Sequence, residues 1–184
     1  MPSHLNDYIS NNVSLDTDFN YTAIIGINPS MGARSPVLWN KVFDKFGIDC
    51  QMIPLDVKPE HLFDVFRILQ DSKAFLGGCI AYPFKAELAS HLHETLTEGL
   101  KDLNVINCFY RNKSLMFSGT NTDGLGFAIS LRESTSIEFS NALILGNGAT
   151  AKTVLWQLQE TFNFSPASIT VAARSFEKLF ANPY

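Results

Sequence analysis

The feature that most constrains the fold is a turn of small residues late in the chain, Gly146-Asn147-Gly148-Ala149-Thr150-Ala151. It follows a fully apolar segment, 142–145, and precedes a segment with apolar residues at helical spacing, which indicates strand, turn and helix in succession. In this context the glycine spacing matches the dinucleotide-binding fingerprint. The first glycine permits the tight turn, the second admits the pyrophosphate, and the small last residue packs the helix on the strand. We therefore predict that these six residues bind a cofactor; an ordinary small-residue turn is the alternative.

The strand that follows, predicted at 168–173, ends at Arg174 and Ser175. Enzymes that use NAD usually carry Asp or Glu at this point, where the carboxylate holds the ribose 2′-hydroxyl. A guanidinium instead suits a 2′-phosphate by its charge and its fork geometry. We expect NADP as the cofactor, with Arg174 and Ser175 among its ligands; an exposed arginine at a strand end is the alternative.

The first two thirds of the chain alternate between strand and helix patterns. Strands are predicted at 21–26, 48–57, 75–81, 103–110 and 114–117, the last two joined by a turn at 111–113. A helix is expected to begin at Ser35-Pro36, with an apolar stripe formed by Trp39, Val42, Phe43 and Phe46, and further helices from Pro59 and Phe84. This order predicts an α/β fold with a mostly parallel sheet.

Composition limits the partners. The chain has 184 residues, of which 46% are apolar and 17% charged, enough for one large domain or two small ones and unlike a disordered chain. Its net charge of -4 gives no reason to expect nucleic acid or a membrane surface as partner, and no stretch is apolar enough to span a bilayer. Three widely spaced cysteines argue against a disulfide framework and fit a reducing cytoplasm. No residue spacing suggests a metal site.

Two charged residues attract a catalytic interpretation. Lys85 follows Pro83-Phe84 at the end of a predicted strand, and Asp123 lies in the glycine-rich segment 119–126. An amine and a carboxylate facing one secondary alcohol could share its proton while hydride leaves the carbon. Spacing alone favours the structural alternative, because most lysines are solvated and most Asp in Gly-rich loops are turn residues.

Together, these segments resemble the shikimate dehydrogenase family in the order in which the family carries them. Residues 26–36 are similar to its G-N-P-x-x-x-S-x-S-P loop, 79–85 to N-V-T-x-P-F-K, 105–108 to A-V-N-T, 119–126 to G-x-N-T-D-G-x-G, 146–151 to G-A-G-G-A-[SA], and 173–175 to N-R-T. Several motifs in the right order are far more specific than any one of them.

The resemblance implies an N-terminal substrate-binding α/β domain, residues 1–121, followed by the first part of a Rossmann-like NADP-binding domain, residues 122–184. It implies a cytoplasmic, NADP-dependent oxidoreductase of aromatic amino acid biosynthesis that reversibly reduces 3-dehydroshikimate or a related cyclic hydroxy acid. Lys85 would be the acid/base and Asp123 its partner on the substrate hydroxyls. Asn107 would hydrogen-bond a hydroxyl, and Ser35 would help hold the carboxylate. Homodimer formation stays open.

The chain departs from the family pattern at positions that touch substrate. Ala33 and Ala81 stand where the family has Ser and Thr, and Cys79 stands where it has Asn. Each lost hydrogen bond to a charged group weakens binding by roughly 1.5–3 kcal/mol. The chain also ends soon after the second strand of the nucleotide-binding unit, so we expect it to be C-terminally incomplete. A different substrate, or a non-catalytic or truncated relative acting as a nucleotide and small-molecule binding module, is therefore the alternative.

Overall fold

The computed structural model describes residues 4–16, 19–134 and 140–174, and it has the predicted α/β architecture. The strands are β1 (Asn20–Gly26), β2 (Cys50–Asp56), β3 (Phe75–Ile80), β4 (Cys108–Arg111), β5 (Phe117–Thr120), β6 (Ala142–Leu145) and β7 (Ile169–Ala172). The α-helices are α1 (Arg34–Phe46), α2 (Leu62–Asp71), α3 (Lys85–His91), α4 (Glu98–Leu103), α5 (Asp123–Ser134) and α6 (Ala149–Phe162).

The larger sheet has five strands in the order β2-β1-β3-β4-β5. Strand β1 runs parallel to β2 and β3, and β4 and β5 add an antiparallel hairpin at the edge beyond β3. Because side chains alternate along a strand, Tyr21, Ala23 and Ile25 enter the main core while Ile24 faces the other side. The three parallel strands thus end together, and their carboxyl ends carry the loops that form the site.

Helix α2 covers the core side of this sheet with an apolar stripe of four buried residues, Leu62, Val65, Phe66 and Leu69. Helix α1 differs from its prediction. Of its stripe only Phe43 is buried, against Cys50 and Met52, whereas Trp39, Val42 and Phe46 are exposed. The helix also begins two residues earlier than predicted, with Ala33 rather than Ser35 at its N-cap.

Two predicted boundaries are wrong around the hairpin. Residue Leu103 ends α4, and the strand that was predicted from this position begins at Cys108. Leu103, Val105 and Ile106 are all buried, and a short buried apolar run has the same pattern in a helix, a loop or a strand. The second hairpin strand likewise begins at Phe117, where the sequence predicted its end.

Beyond the hairpin, α5 leads to a strand–helix–strand unit. Strands β6 and β7 pair in parallel, with Ala142 opposite Ile169, and α6 connects them. Helices α5 and α6 pack against each other, and Gly124 of α5 lies against Thr153 and Gln157 of α6. Among the residues that the structure describes, no helix is both long and apolar enough to cross a bilayer.

Candidate active site

A cleft of about 680 Å³ opens at the carboxyl ends of the parallel strands and extends to the turn after β6. Its floor belongs to a cross-strand row: Ile24 of β1 and Cys79 of β3, which are opposite each other, line the cleft, and Cys108 of β4 continues the row as the residue opposite Cys79. The cleft is lined from one side by Ser35, Ala81, Lys85, Asn107 and Asp123. The small-residue turn lines it from the other side.

The predicted pair Lys85 and Asp123 lies together in this cleft. Lys85 Nζ donates to Asp123 Oδ2 at 2.5 Å, and the two side chains are 18% and 30% exposed, so the ion pair is partly shielded from water. Asn107 Nδ2 donates to the other carboxylate oxygen, Asp123 Oδ1, at 2.7 Å. The carboxylate therefore has one cationic and one neutral donor, and all three side chains border the same open volume.

Each member of this cluster is positioned by a different element. Lys85 is the first residue of α3, after the buried N-cap Phe84, and its carbonyl accepts a hydrogen bond from Ile106 N at 3.1 Å. Asn107 precedes β4, and its Oδ1 accepts from the backbone N of Thr122 at 2.8 Å. Asp123 is the first residue of α5. Backbone contacts thus fix all three side chains relative to one another.

Asn121 ties this cluster to the second half of the chain. Its Oδ1 accepts from the backbone N of Asp123 and Gly124, at 3.1 and 3.3 Å, which caps the start of α5. Its Nδ2 donates to Val105 O and to Thr153 Oγ1 of α6, both at 3.0 Å. Thr153 is almost fully buried, so this junction is an ordered part of the structure.

The loop that leads to Ser35 is held by a buried carboxylate. Asp56, at the end of β2, is 6% exposed and accepts hydrogen bonds from the backbone N of Ser30 at 2.9 Å and from the Ser30 hydroxyl. Asp56 N in turn donates to Asn11 Oδ1 at 2.8 Å. Ser35 follows in the first turn of α1, and it lines the cleft.

The small-residue turn has the geometry that a phosphate-binding loop needs. Gly146 has φ of 112°, a conformation that favours glycine, and its N–H donates to Ala172 O at 2.7 Å. Gly148 is the N-cap of α6, and a Cβ there would meet nothing within 4 Å, so the approach to the backbone is open. The first N–H groups of a helix have no partner within it and favour anions.

A second cleft, of about 710 Å³, adjoins this turn. Its lining includes Gly146, Asn147, Gly148 and Arg174, whereas Gly146 and the 148–151 segment line the first cleft. The residues predicted to bind a cofactor therefore border one or both of these spaces. Arg174 is exposed at the end of β7. The prediction for Ser175 falls outside the described residues.

Two of the three departures from the family pattern border the cleft. Ala81 and Cys79 line it, and Ala81 N donates to Ile25 O at 2.8 Å. Ala33 is instead at the N-cap of α1 and is absent from the lining of the cleft.

The two thiols of the floor influence each other. Acceptance of a hydrogen bond from Cys79 lowers the pKa of Cys108 to about 7, helped by Thr122 and the charge of Lys85 and opposed by burial and by Asp123. The same hydrogen bond, with burial and the charge of Asp123, raises the pKa of Cys79, against a contact with Ser35. Cys108 is thus the thiol that ionises first.

Sequence reasoning missed Asp56, Asn121 and Cys108 as parts of this site. Asp56 is separated from Ser30 by 26 residues, and Asn121 from Thr153 by 32. No local motif marks such contacts. A polar residue directly after an apolar strand, as Asp56 follows Leu55, is the one signal that could have pointed to the strand ends.

Comparison with known proteins identifies relatives of this chain. Residues 24–109 match the shikimate dehydrogenase substrate binding domain. The chain is 30% identical over 161 residues to the shikimate dehydrogenase (NADP(+)) of Pyrococcus furiosus, an alignment that covers 85% of the chain and 55% of the relative. The chain therefore spans about half the length of the curated relatives it matches.

Solved structures show the same fold. Shikimate dehydrogenase from Aquifex aeolicus superposes with a TM-score of 0.77 at 23% identity, over 90% of this chain and 60% of that one. Shikimate 5-dehydrogenase from Thermus thermophilus, solved in complex with NADP(H) and shikimate, superposes with a TM-score of 0.74 at 21% identity, over 87% and 58% of the two chains. These likenesses cover both the five-stranded sheet and the start of the nucleotide-binding unit.

Proposed function

We propose that this chain, whose residues 24–109 match the shikimate dehydrogenase substrate binding domain, acts as an NADP-dependent oxidoreductase. The reaction is the reversible reduction of 3-dehydroshikimate or a related cyclic hydroxy acid. The observation that carries the proposal is the Lys85–Asp123–Asn107 cluster, which borders one cleft together with the small-residue turn of β6 and α6.

In the proposed mechanism, Lys85 and Asp123 handle the proton of the reacting hydroxyl. The Lys85 ammonium donates a proton to the oxygen of the carbonyl as it is reduced, and its amine takes the proton back in the reverse direction. Asp123 holds Lys85 in place and accepts from the substrate hydroxyl, while Asn107 fixes the carboxylate. Ser35, at the start of α1, offers its hydroxyl to the carboxylate of the substrate, and the positive end of the helix dipole favours the same negative charge.

The cofactor site fits NADP by its own chemistry. Gly146 and Gly148 leave the backbone accessible, and the N-terminus of α6 favours phosphate. Asn147, Ala149, Thr150 and Ala151 complete the turn, and Arg174 offers a guanidinium for a 2′-phosphate. When bound, the nicotinamide would supply the hydride. Ser175 remains part of the proposal through the sequence alone.

We assign residues 1–121 to the substrate-binding domain and 122–184 to the NADP-binding domain. This boundary is supported by Asn121, whose side chain donates to Val105 O in the first part and to Thr153 of α6 in the second. The proposal locates the protein in the cytoplasm, where Cys50, Cys79 and Cys108, free in the structure, would stay reduced. It leaves a homodimer open, which light scattering would detect as twice the 20.5 kDa chain mass.

Thermal unfolding with NADP, NAD and shikimate, singly and together, tests binding by the 184-residue chain. We expect NADP to raise the transition temperature more than NAD, and shikimate to add to the shift, because ligands of the folded state stabilise it by RT ln(1 + [L]/Kd). NADPH oxidation by 3-dehydroshikimate tests turnover. Lys85→Ala and Asp123→Asn should each lose turnover while keeping the NADP shift. An active Lys85→Ala variant would overturn the proposed role of the pair.

A binding module without catalysis is the second candidate. It is favoured by Ala81, which lines the cleft without the hydroxyl of the family pattern. This candidate predicts that NADP and a hydroxy acid stabilise the chain while NADPH is never oxidised. Turnover at any measurable rate, lost in Lys85→Ala, would exclude it.

A further inference from the structure

The two cysteines of the cleft floor meet the geometric condition for a disulfide. Cys79 and Cys108 are directly opposite in the antiparallel pairing of β3 and β4. The adjacent pair, Ile80 and Asn107, is hydrogen-bonded, with Ile80 N donating to Asn107 O at 2.7 Å, so the cysteines form a non-hydrogen-bonded pair. Cα atoms in such pairs are about 4.5 Å apart, within the roughly 4.4–6.8 Å that a disulfide spans.

Their surroundings are those of reactive rather than inert thiols. Both side chains are partly exposed, whereas Cys50, the third cysteine, is buried beside Phe43 and Met52. Each thiol shifts the pKa of the other, and the positive charge of Lys85 stabilises the Cys108 thiolate. Cys108 Sγ also lies 3.7 Å from Thr122 Oγ1. A partly exposed thiolate near a cation is the setting in which cysteines react.

We propose that Cys79 and Cys108 form a dithiol modification site on the floor of the cleft, which hydroperoxides oxidise to an intrachain disulfide and low-molecular-weight thiols reduce again. The Cys108 thiolate attacks the terminal peroxide oxygen, the O–O bond breaks, and the departing alkoxide leaves as an alcohol, or as water from hydrogen peroxide. The Cys79 sulfur then attacks the Cys108 sulfenic acid, the S–S bond forms, and the hydroxyl leaves as water with the Cys79 proton. Two electrons pass from the two thiols to the peroxide.

The disulfide alters the cleft. Ser35 contacts Cys79, and Thr122 contacts Cys108. Thr122 and Asp123 both accept hydrogen bonds from the Asn107 amide. Drawing the sulfurs together to the bond length of about 2.05 Å removes these contacts and both thiol donors. This consequence, unlike the chemistry itself, rests on the proposed function, since it predicts weaker binding of the hydroxy acid.

Peptide mapping of the reduced 184-residue chain tests the proposal without any ligand. The chain is exposed to hydrogen peroxide, blocked with N-ethylmaleimide in denaturant so that buried Cys50 also reacts, and digested without reduction. We expect one intrachain Cys79–Cys108 disulfide, a fall from three to one blockable thiols, and full recovery with dithiothreitol. Recovery of three blocked cysteines, or disulfides that involve Cys50 or two chains, would overturn the proposal.

Matched variants separate the steps. Cys50→Ser should still form the disulfide, whereas Cys79→Ser should stop at a Cys108 sulfenic acid that dimedone traps. Disulfide formation that fails in Cys50→Ser, or no dimedone adduct on Cys108 in Cys79→Ser, contradicts the assignment. Far-ultraviolet circular dichroism confirms that each variant is folded.

Shikimate-dependent stabilisation of the reduced and oxidised chain then distinguishes the two proposals. If shikimate stabilises the reduced chain, and the affinity derived from that shift is at least tenfold weaker in the oxidised chain, both proposals are supported. A disulfide in a chain that shikimate does not stabilise even when reduced supports the dithiol site and counts against the proposed function. Equal shikimate affinity of the reduced and oxidised chain overturns the predicted effect on the cleft.

Discussion

At the scale of single residues, Asn107 is the neutral hydrogen-bond donor to the carboxylate of the candidate site. Its amide donates to Asp123 Oδ1 at 2.7 Å and to Thr122 Oγ1 at 2.9 Å. The substitution Asn107→Asp replaces this donor with a second carboxylate beside the first. We expect a loss of roughly 1–3 kcal/mol in the free energy of unfolding at pH 7, measured by urea denaturation, because a charged acceptor loses its donor and meets a like charge.

The effect of Asn107→Asp should depend on pH. A carboxyl introduced beside an existing carboxylate has its pKa raised by the like charge, and once protonated it can donate again, so the difference from the wild-type chain should shrink as the pH falls. Asn141→Asp is the matched control, since Asn141 is exposed and its side chain contacts only Ser140 among the described hydrogen bonds. A loss in Asn107→Asp that is equal at pH 4 and pH 7 would contradict the charge argument.

Cys108 supplies a pH-dependent prediction of its own. Since its pKa is lowered to about 7, chiefly by the Cys79 thiol, its thiolate fraction rises through neutral pH. Alkylation of Cys108 by iodoacetamide, followed by mass spectrometry of its peptide, should accelerate with a midpoint near pH 7. At that pH it should run roughly tenfold faster than for a thiol of ordinary pKa.

The variant Cys79→Ala tests the cause of this pKa. It removes the hydrogen-bond donor, so the pKa of Cys108 should rise and the midpoint of alkylation should move to higher pH. An unchanged midpoint in Cys79→Ala would assign the ionisation to other neighbours. A midpoint at about pH 8.5 or above in the wild-type chain, the range of an ordinary thiol, would contradict the lowered pKa itself.

The sequence revealed some of these residues and hid others. Lys85 and Asp123 could be singled out, because motif resemblance names them one by one, although their contact spans 38 residues. The pairing of Cys79 with Cys108 depends on the register of β3 and β4, and no local pattern specifies which residues of two antiparallel strands stand opposite. The Asp56–Ser30 contact could not be predicted either, because its partners are 26 residues apart and no local motif marks it.

At the scale of elements, Gly124 and Gly126 of α5 form a natural comparison. A Cβ at Gly124 would lie 2.8 Å from Gln157 Oε1 and 3.0 Å from Thr153 Cγ2, whereas a Cβ at Gly126 meets nothing within 4 Å. Both changes to Ala gain helix propensity of about 1 kcal/mol. Only Gly124→Ala also incurs overpacking against α6, which costs about 1–3 kcal/mol.

We therefore expect Gly126→Ala to raise the free energy of unfolding. The free energy of unfolding of Gly124→Ala should be lower than that of Gly126→Ala by at least about 1 kcal/mol. Urea denaturation of both variants measures the difference, in which the shared propensity gain cancels. Equal stabilities would mean that α5 and α6 are not closely packed at Gly124.

The elements also show why some boundaries could be predicted and others could not. The β1 and α2 patterns were clear, because a buried strand and a fully buried stripe repeat over several residues. Helix α1 has the same periodicity, yet Trp39 and Phe46 are exposed, since the pattern specifies a face and not what covers it. Helix α4 is only six residues long, which is too short for a periodic signal, and its C-cap Asn104 has a left-handed conformation.

At the scale of the whole molecule, the first cleft is lined by residues of the five-stranded sheet and of the small-residue turn, and Arg174 lines the second cleft, which adjoins that turn. Its guanidinium borders the second cleft together with Gly146 and Gly148. If it holds the 2′-phosphate, Arg174→Gln should weaken NADP binding at least tenfold, about 1.4 kcal/mol, and leave NAD binding unchanged, because NAD has no phosphate at that position.

Arg67→Gln is the matched control for this comparison, because Arg67 is an exposed arginine of α2 that pairs with Asp64 and lines neither of the two clefts. Calorimetric titration of both variants with NADP and NAD gives four dissociation constants. The ratio of the NADP constant to the NAD constant is then compared between the two variants. A rise of the NADP dissociation constant in Arg174→Gln alone supports cofactor selection at the end of β7. An equal loss for NADP and NAD, or a loss that Arg67→Gln reproduces, would assign the effect to net charge and would remove the 2′-phosphate from the role of Arg174.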